Sequence, residues 1–303
     1  MMKLVLMKLE REGKIAGLFT ENPKYSSAKV EWYENDGQPN PTFTTHTIAD
    51  DLLGYEEVRA ADLDGDGDMD IISVSGDNKV RWYKNNGQAN PSFTTHAIYD
   101  CLKPGTTDVC HWYIWDGTPG TQYIRNTGAA EWSLDTVDID GDGDIDIITT
   151  QTSVSAVRLF KNNGAGSFTE QVVDTATPSG NSYPYSYWTG LNQPWSVSSG
   201  DIDGDGDIDI VVSCYQPYRD TDATVLWYEN DGSESFTGHT IATKPFAPRA
   251  FSVYAADVDG DGDLDLVVGN EGYNELSVFP HCPSGHAHAG ARGTGCVPCP
   301  KYS

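Results

Sequence analysis

One nine-residue segment, DxDGDGDxD, occurs four times in this chain and constrains its fold more than any other feature. The copies begin at residues 62, 138, 201 and 257, and each is followed at once by a short apolar, β-branched run: IISV, IITT, IVVS and LVVG. Such runs predict buried β-strands. The spacings of 76, 63 and 56 residues indicate one structural unit that is repeated with insertions of different length.

Each unit also contains a second recurring element, a strand that enters an Asn-Asp-Gly or Asn-Asn-Gly turn. Its copies are VEWYENDG (30–37), VRWYKNNG (80–87), VRLFKNNG (157–164) and VLWYENDG (225–232), and a further strand beginning Phe-Thr follows each turn. Asn and Gly supply the positive φ angles that a tight hairpin requires. With the strand before the acidic loop, a unit has four antiparallel strands, which is the composition of a propeller blade.

The sequence therefore predicts an all-β fold, a β-propeller of about five blade-like repeats, four of which carry an acidic loop. Residues 14–48 form a blade without such a loop, because KIAGLF stands where the second strand belongs. Residues 250–279 supply three strands of a last blade.

The DxDGDGxxD loops and the WYENDG element resemble the FG-GAP or VCBS repeats of integrin α-like β-propellers. The resemblance covers residues 14–279 and leaves residues 1–13 as a poorly defined N-terminus. The five repeats are fewer than the family commonly uses in a closed ring. Residues 280–303 are rich in Cys, Gly and Pro, lack a strand pattern, and resemble the start of an ephrin-receptor-like cysteine-rich repeat through CPSG, CVPCP and a final YS.

The acidic loops have the composition of a calcium site. Glycines at positions 4 and 6 let a nine-residue loop turn tightly, so that the carboxylates at positions 1, 3, 5 and 9 and the carbonyl of residue 7 converge on one hard cation. Mg²⁺ fits less well because it demands stricter octahedral geometry. The predicted metal residues, for about four Ca²⁺ ions, are Asp62, Asp64, Asp66, Asp68 and Asp70; Asp138, Asp140, Asp142, Asp144 and Asp146; Asp201, Asp203, Asp205, Asp207 and Asp209; and Asp257, Asp259, Asp261, Asp263 and Asp265.

Two alternatives to this calcium site are an EF-hand and a metal-free acidic turn. An EF-hand needs a Glu at position 12, where this chain has Ser73, Thr149, Val212 and Val268. A metal-free turn would crowd five carboxylates into nine residues without a neutralising charge. Calcium modules of the extracellular kind bind at about 10⁻⁴–10⁻³ M, which predicts a structural role for the ions and an extracellular or cell-surface location.

Charge excludes one class of partner. The chain has 45 acidic and 19 basic side chains, a net charge of −26, whereas binding to a phosphate backbone requires clustered basic residues. No apolar run approaches the roughly 20 residues of a membrane-spanning helix. The start, MMKLVLMKLEREGK, is a poor signal peptide, and we expect the chain to be part of a larger secreted protein.

The six cysteines fit an oxidising compartment. A disulfide between Cys101 and Cys110 is the simplest pairing, and Cys214 is expected to be a thiol in or beside a strand. In the tail, disulfides compete with a zinc site made of cysteines and histidines. The histidines of FTTHTI, FTTHAI and FTGHTI and the tryptophans of the WY elements recur at fixed repeat positions, which predicts packing rather than catalysis.

No nucleophile elbow, P-loop, HExxH or dinucleotide fingerprint is present. The sequence favours a non-enzymatic adhesion or ligand-binding module for a glycan or an extracellular protein, with a lectin or a polysaccharide lyase-like enzyme on the same propeller as the alternative. Aromatic side chains concentrate in long insertions that strand alternation places opposite the acidic loops. The candidate ligand face is Trp112, Trp115, Tyr185, Trp188 and Tyr218. Alternatively, these aromatics fold the insertions onto themselves.

Overall fold

A computed structural model describes most of the chain. The described residues are 6–9, 14–19, 27–53, 57–75, 79–100, 112–114, 123–125, 131–152, 155–175, 178–179, 187–188, 191, 193–214, 223–243, 250–270, 275–279, 286–288 and 296–298. All regular elements among them are strands, and none of them forms a helix that is long and apolar enough to cross a membrane.

The strands form five successive antiparallel sheets, numbered I to V. Sheet I is β1 (Leu6–Leu9), β2 (Lys14–Phe19), β3 (Ser27–Asn35) and β4 (Phe43–Leu53). Sheet II is β5 (Glu57–Ala61), β6 (Asp70–Ser75), β7 (Lys79–Asn85) and β8 (Phe93–Asp100). Sheet III is β11 (Glu131–Val137), β12 (Asp146–Gln151), β13 (Ala156–Asn162) and β14 (Phe168–Thr175). Sheet IV is β17 (Pro194–Gly200), β18 (Asp209–Cys214), β19 (Ala223–Asn230) and β20 (Phe236–Thr243), and sheet V is β21 (Ala250–Ala256), β22 (Asp265–Asn270) and β23 (Glu275–Phe279).

In each sheet the strands lie in sequence order, so every strand pairs with its chain neighbour. Four antiparallel strands per repeat were predicted, and sheets I to IV confirm this. KIAGLF is the second strand of sheet I, as predicted. The first strand of that sheet lies N-terminal to residue 14, where the predicted repeats begin.

Three short hairpins lie outside the five sheets. They pair β9 (Trp112–Ile114) with β10 (Tyr123–Arg125), β15 (Pro178–Ser179) with β16 (Tyr187–Trp188), and β24 (His286–His288) with β25 (Cys296–Pro298). The last hairpin lies in the tail, where no strand was predicted. A strand of three residues in a segment rich in Gly and Pro has too little periodicity to be recognised from the sequence.

The apolar runs after the acidic loops form the buried centre of the sheets. Every residue of β6, β12 and β18 is buried. These strands are covered on both faces because the sheets pack against one another. Cys214, at the end of β18, is a buried thiol in this core.

Sheets II to V pack in chain order through the residue at position 2 of each of the first three acidic loops. Leu63 clusters with Ile147 and Phe160 of sheet III, and Ile139 clusters with Ile210 of sheet IV. Ile202 clusters in the same way with the core of sheet V. The predicted packing role of the recurring tryptophans agrees with these clusters, since Trp32 and Trp82 are buried between successive sheets.

Hydrogen bonds between first strands repeat along the chain. The acceptor is the side chain five residues before the acidic loop, and the donor is a backbone N–H of the next sheet. Glu57 Oε2 accepts from Leu134 (3.2 Å), Ser133 Oγ accepts from Val197 (3.3 Å), and Ser196 Oγ accepts from Val253 (3.4 Å). The first strands of sheets II to V are thereby joined in a fixed order.

The face of sheet V that is equivalent to the buried face of sheets II to IV is exposed to solvent. Val258 is 53% exposed, whereas the equivalent Leu63, Ile139 and Ile202 are at most 9% exposed. Leu276 on β23 is 73% exposed, although its counterparts on β7, β13 and β19 are fully buried. The difference follows from packing, because each counterpart contacts the next sheet.

Candidate metal centres

The four acidic loops occupy one structural position. Each nine-residue loop connects the first and second strands of its sheet and ends at the first residue of the second strand: 62–70 runs from β5 into β6, 138–146 from β11 into β12, 201–209 from β17 into β18, and 257–265 from β21 into β22. These are named loops 1 to 4. The Asn-Gly turns between third and fourth strands lie at the same end of the sheets, because the strands alternate in direction.

Glycine makes the tight path of these loops possible. At position 6, φ is 89° in Gly67, 94° in Gly143, 101° in Gly206 and 98° in Gly262, and the glycines at position 4 are also left-handed. Side-chain-bearing residues rarely adopt this region. The glycine at position 6 then donates its N–H to the first Asp of the loop, at 2.9 Å for Gly67 and Asp62.

Each loop brings three carboxylates together. In loop 1 these are Asp62, Asp64 and Asp66, with one oxygen from each within 4.8 Å of the others. In loops 2, 3 and 4 the clusters contain positions 1, 3 and 9: Asp138, Asp140 and Asp146; Asp201, Asp203 and Asp209; and Asp257, Asp259 and Asp265. The clusters comprise only oxygen donors, the type that Ca²⁺ prefers.

Some of these oxygens are buried without a hydrogen-bond partner. They are Oδ1 of Asp62, Oδ1 of Asp64 and Oδ1 of Asp138. A buried polar atom without a partner is costly unless something satisfies it. The residues present therefore fit a bound cation in loops 1 and 2. Loops 3 and 4 bring together the same three positions as loop 2, although Oδ1 of their first Asp accepts a hydrogen bond from the N–H of the glycine at position 4.

The Asp at position 9 has a second role. Asp209 Oδ2 accepts from the N–H of Ile202 at 3.1 Å, and its Oδ1 accepts from the N–H of Asn230 at 2.8 Å. The carboxylate thus joins its own loop to the third strand of the sheet. Burial is the largest cause that raises the pKa of Asp70, Asp146 and Asp209 to about 6, while these backbone hydrogen bonds act in the opposite direction.

The Asp at position 7 lies away from the carboxylate clusters, against the hairpin turn. A Cβ atom on Gly87 would collide with the Asp68 carboxylate, and the same is true of Gly164 with Asp144 and Gly232 with Asp207. The sequence predicts that the backbone carbonyl of position 7, and not its side chain, binds the ion. The placement of the side chain against the turn is compatible with that role. In sheet I, which has no acidic loop, a Cβ on Gly37 would meet nothing within 4 Å.

The residue that precedes the first Asn of the hairpin turn places a charged side chain at the acidic loop of its sheet. Lys84 forms ion pairs with Asp64 and with Asp66, the latter at 3.7 Å. Lys161 pairs with Asp140 at 3.1 Å and with Glu234 of sheet IV at 2.6 Å. Sequence reasoning missed these contacts.

The equivalent residue in sheet IV is acidic. Burial is the largest cause that raises the pKa of Asp203 in loop 3, and the nearby carboxylates of Asp205, Glu229 and Asp201 raise it further. Glu229 also contacts His239, whose Nε2 lies 2.6 Å from its Oε2.

The recurring histidines pack against tryptophan, as predicted. His46 stacks on Trp32 with ring centroids 4.1 Å apart, and His239 stacks on Trp227 at 4.6 Å. None of them lies in an acidic cluster.

The predicted ligand face remains a prediction. Trp112 begins β9 and Trp188 ends β16, whereas Trp115, Tyr185 and Tyr218 lie outside the described residues. The insertions that carry these residues follow second or fourth strands, which places their starts at the end of the sheets opposite the acidic loops.

Family profiles match most of the chain. The profile described as FG-GAP-like repeat matches residues 18–73, 62–110, 138–212 and 201–268, which is more than half of the 303 residues, and the profile described as FG-GAP repeat matches residues 250–291. Each FG-GAP-like match contains at least one acidic loop or its beginning. No curated protein sequence matches the chain significantly.

Several solved structures are similar to the chain at low identity. An Agrocybe aegerita lectin that recognises non-reducing terminal N-acetylglucosamine is 17% identical, with a TM-score of 0.38 over 98% of this chain and 78% of the lectin. The BBS1N structure in complex with ARL6DN is 11% identical, with a TM-score of 0.41 over 91% and 78% of the two chains. The V. cholerae biofilm matrix protein Bap1 is 15% identical, with a TM-score of 0.33 over 78% of this chain and 39% of Bap1.

Proposed function

This chain belongs to the FG-GAP repeat family, and from that premise we propose that it is a calcium-stabilised extracellular binding module whose sheets are blades of a β-propeller. The single observation that carries the proposal is the repetition of one oxygen cluster in four sheets, each at the same connection between first and second strands. We expect one Ca²⁺ per loop.

The geometry of the clusters supports the proposed calcium ligands. The carboxylates at positions 1 and 3 belong to every cluster, and position 5 or position 9 completes it. The aspartates at positions 1, 3, 5 and 9 and the carbonyl oxygen of position 7 would hold the ion in each loop. The bound ion supplies positive charge that offsets the repulsion between these carboxylates.

We assign the ion a structural role because each loop fixes the arrangement of its sheet. In loops 1 to 3, position 9 holds the loop to the third strand, and position 7 lies against the hairpin turn. A cation that orders the loop therefore also orders the turn and the adjoining strands. No chemical step is assigned to it.

Ligand binding is assigned to the opposite end of the sheets. Long insertions begin there after β8, β14 and β18, and they contain the aromatic residues predicted for the ligand face. Loops on a rigid scaffold commonly carry binding functions. A glycan or an extracellular protein is the proposed partner, and the net charge of −26 argues against a nucleic acid.

The calcium part of the proposal is tested by counting ions. Mass spectrometry under native conditions should detect four Ca²⁺ per chain. Asp66→Ala, Asp142→Ala, Asp205→Ala and Asp261→Ala should each remove one ion. A stoichiometry of zero or one would contradict the proposal.

The binding part is tested by a glycan and matrix-protein screen with and without a chelator. Replacing Trp112, Trp115 and Trp188 together by Ala should abolish capture and leave the ion count unchanged. Unchanged capture would place the ligand elsewhere. Release of an unsaturated product from an acidic polysaccharide, followed by absorbance, would instead support the lyase-like alternative.

A further inference from the structure

One position on the third strand differs in charge between the sheets. Tyr83, Phe160 and Tyr228 pair with the first apolar residue of the second strand in sheets II, III and IV. The residue that follows each of them is Lys84, Lys161 and Glu229, respectively. These three side chains therefore have the same place relative to loops 1, 2 and 3, with opposite charges.

In loop 1, the ammonium group of Lys84 forms ion pairs with carboxylates that a metal ion would need as ligands. Lys84 pairs with Asp64 and Asp66, both members of the loop 1 cluster. The Lys84 side chain is 38% exposed and its Nζ lies 5.9 Å from the Trp82 ring centroid, so the ammonium group lies between this ring and the cluster and is accessible to solvent. A cation entering loop 1 has to displace this ammonium group.

In loop 2, the ammonium group of Lys161 is shared between two carboxylates. Lys161 Nζ lies 3.1 Å from Asp140 in the cluster and 2.6 Å from Glu234, which belongs to the next sheet. Glu234 also accepts a 2.9 Å hydrogen bond from Gln171 through its carbonyl, so its position is held by sheet III. Glu234 thus provides Lys161 with a place to bind when an ion enters loop 2.

In loop 3, the same position adds negative charge. Glu229 lies between Tyr228, which pairs with Ile210, and Asn230, whose N–H donates a 2.8 Å hydrogen bond to Asp209 of the loop 3 cluster. It also contacts His239, which is 40% exposed. In loop 4, the residue after Phe279 is Pro280, which has no charge.

We propose that the residue at this position sets the calcium affinity of each loop: Lys84 and Lys161 weaken loops 1 and 2 as tethered competitors, and Glu229 strengthens loop 3. The inference rests on the proposed calcium function. Its consequence is graded filling, in which loop 3 takes up calcium at lower concentrations than loops 1 and 2. Sheets II and III then gain their stabilisation only at higher calcium.

The expected change in calcium affinity follows from Coulomb's law. A unit charge about 6 Å from a divalent ion in a water-like dielectric changes the affinity about tenfold. Salt screens this interaction, because the Debye length is about 10 Å at 0.1 M. Neutralising Lys84 should therefore strengthen loop 1 about tenfold at low ionic strength, and neutralising Glu229 should weaken loop 3 by a similar factor.

The test follows each loop separately in the full chain. The amide signals of Gly67, Gly143, Gly206 and Gly262 report one loop each, since the position 6 N–H donates to the first Asp in loops 1 to 4. Calcium is titrated against these signals in the unsubstituted protein and in Lys84→Gln, Lys161→Gln and Glu229→Gln. We expect the midpoint to fall for Gly67 and Gly143 in the lysine variants and to rise for Gly206 in the glutamate variant.

The matched control is Lys79→Gln, on the same strand as Lys84. Lys79 pairs with Asp100 at 3.0 Å, remote from the loop 1 cluster, and its removal should leave all four midpoints unchanged. If the glycine signals respond to calcium but Lys84→Gln leaves the Gly67 midpoint within twofold, the inference is overturned while the calcium function stands. If no glycine signal responds, both are overturned.

Discussion

The carboxylate of Asp70 accepts a 2.7 Å hydrogen bond from the backbone N–H of Asn85, so the last residue of loop 1 is fixed to the start of the hairpin turn. The second oxygen of Asp70 accepts from the N–H of Leu63 at 3.3 Å. The same pair of hydrogen bonds recurs at Asp146 and Asp209. One side chain therefore connects the loop, the second strand and the turn without the help of an ion.

This double role predicts different effects for two aspartates of one loop. Asp70→Ala should lower the free energy of unfolding by about 2 kcal/mol even without calcium, because two backbone N–H groups lose their acceptor. Asp66→Ala, at an exposed position, should lower it mainly when calcium is present, because its ion pair with Lys84 and its hydrogen bond from the Asp68 N–H lie at the surface. Urea unfolding with and without a chelator measures both. Equal losses for the two variants in chelator would contradict the assignment.

The raised pKa values predict how stability depends on pH in calcium-free solution. Asp70, Asp146 and Asp209 titrate at about 6 in the folded protein, against an ordinary value near 3.9 in an unfolded chain. Their protonated forms favour the folded state, so that contribution is fully present below about pH 4 and is lost as pH rises through about 6. The melting temperature should fall between pH 4.5 and pH 7.

Calcium should reverse this trend, because the ion binds the ionised carboxylates and its affinity rises as they deprotonate. The neutral variant Asp209→Asn serves as the control and should reduce the pH dependence of the calcium-free protein by about a third, because Asp70 and Asp146 still titrate. A melting temperature that rises with pH in calcium-free solution would contradict the prediction.

The turn glycines provide a third prediction with a matched pair. Gly37 and Gly87 have nearly equal φ angles, 69° and 66°, at the same turn position. Gly37→Ala should cost only the backbone strain of a left-handed alanine, about 1 kcal/mol. Gly87→Ala should cost more and should perturb loop 1, because its Cβ collides with the Asp68 carboxylate. Thermal unfolding and the Gly67 amide signal of each variant measure the difference, and equal behaviour of the pair would count against a contact between turn and loop.

These relationships mark the limit of sequence reasoning for this chain. The strand after each acidic loop and the glycine conformations could be predicted because they depend on local residue order. The dual use of Asp70 could not, since its partner Asn85 is brought near only by the pairing of β6 with β7. The charges of Lys84 and Glu229 are visible in VRWYKNNG and VLWYENDG, but their position beside the acidic loops depends on the same register. The exposed face of sheet V depends on packing between sheets, which no single repeat encodes.

The last prediction concerns that packing. Leu63 and Val258 occupy position 2 of loops 1 and 4, and they are 1% and 53% exposed. Leu63 clusters with Ile147 and Phe160 of sheet III, so Leu63→Ala leaves a cavity between two sheets and should lower the free energy of unfolding by about 3 kcal/mol. Val258→Ala removes an exposed side chain and should cost less than about 0.5 kcal/mol. Urea unfolding of both variants in saturating calcium isolates the packing contribution, because neither side chain is a metal ligand. If Val258→Ala were as destabilising as Leu63→Ala, the exposed face of sheet V would have to be covered in solution, and thiol cross-linking of Leu276→Cys and Val278→Cys variants would then identify what covers it.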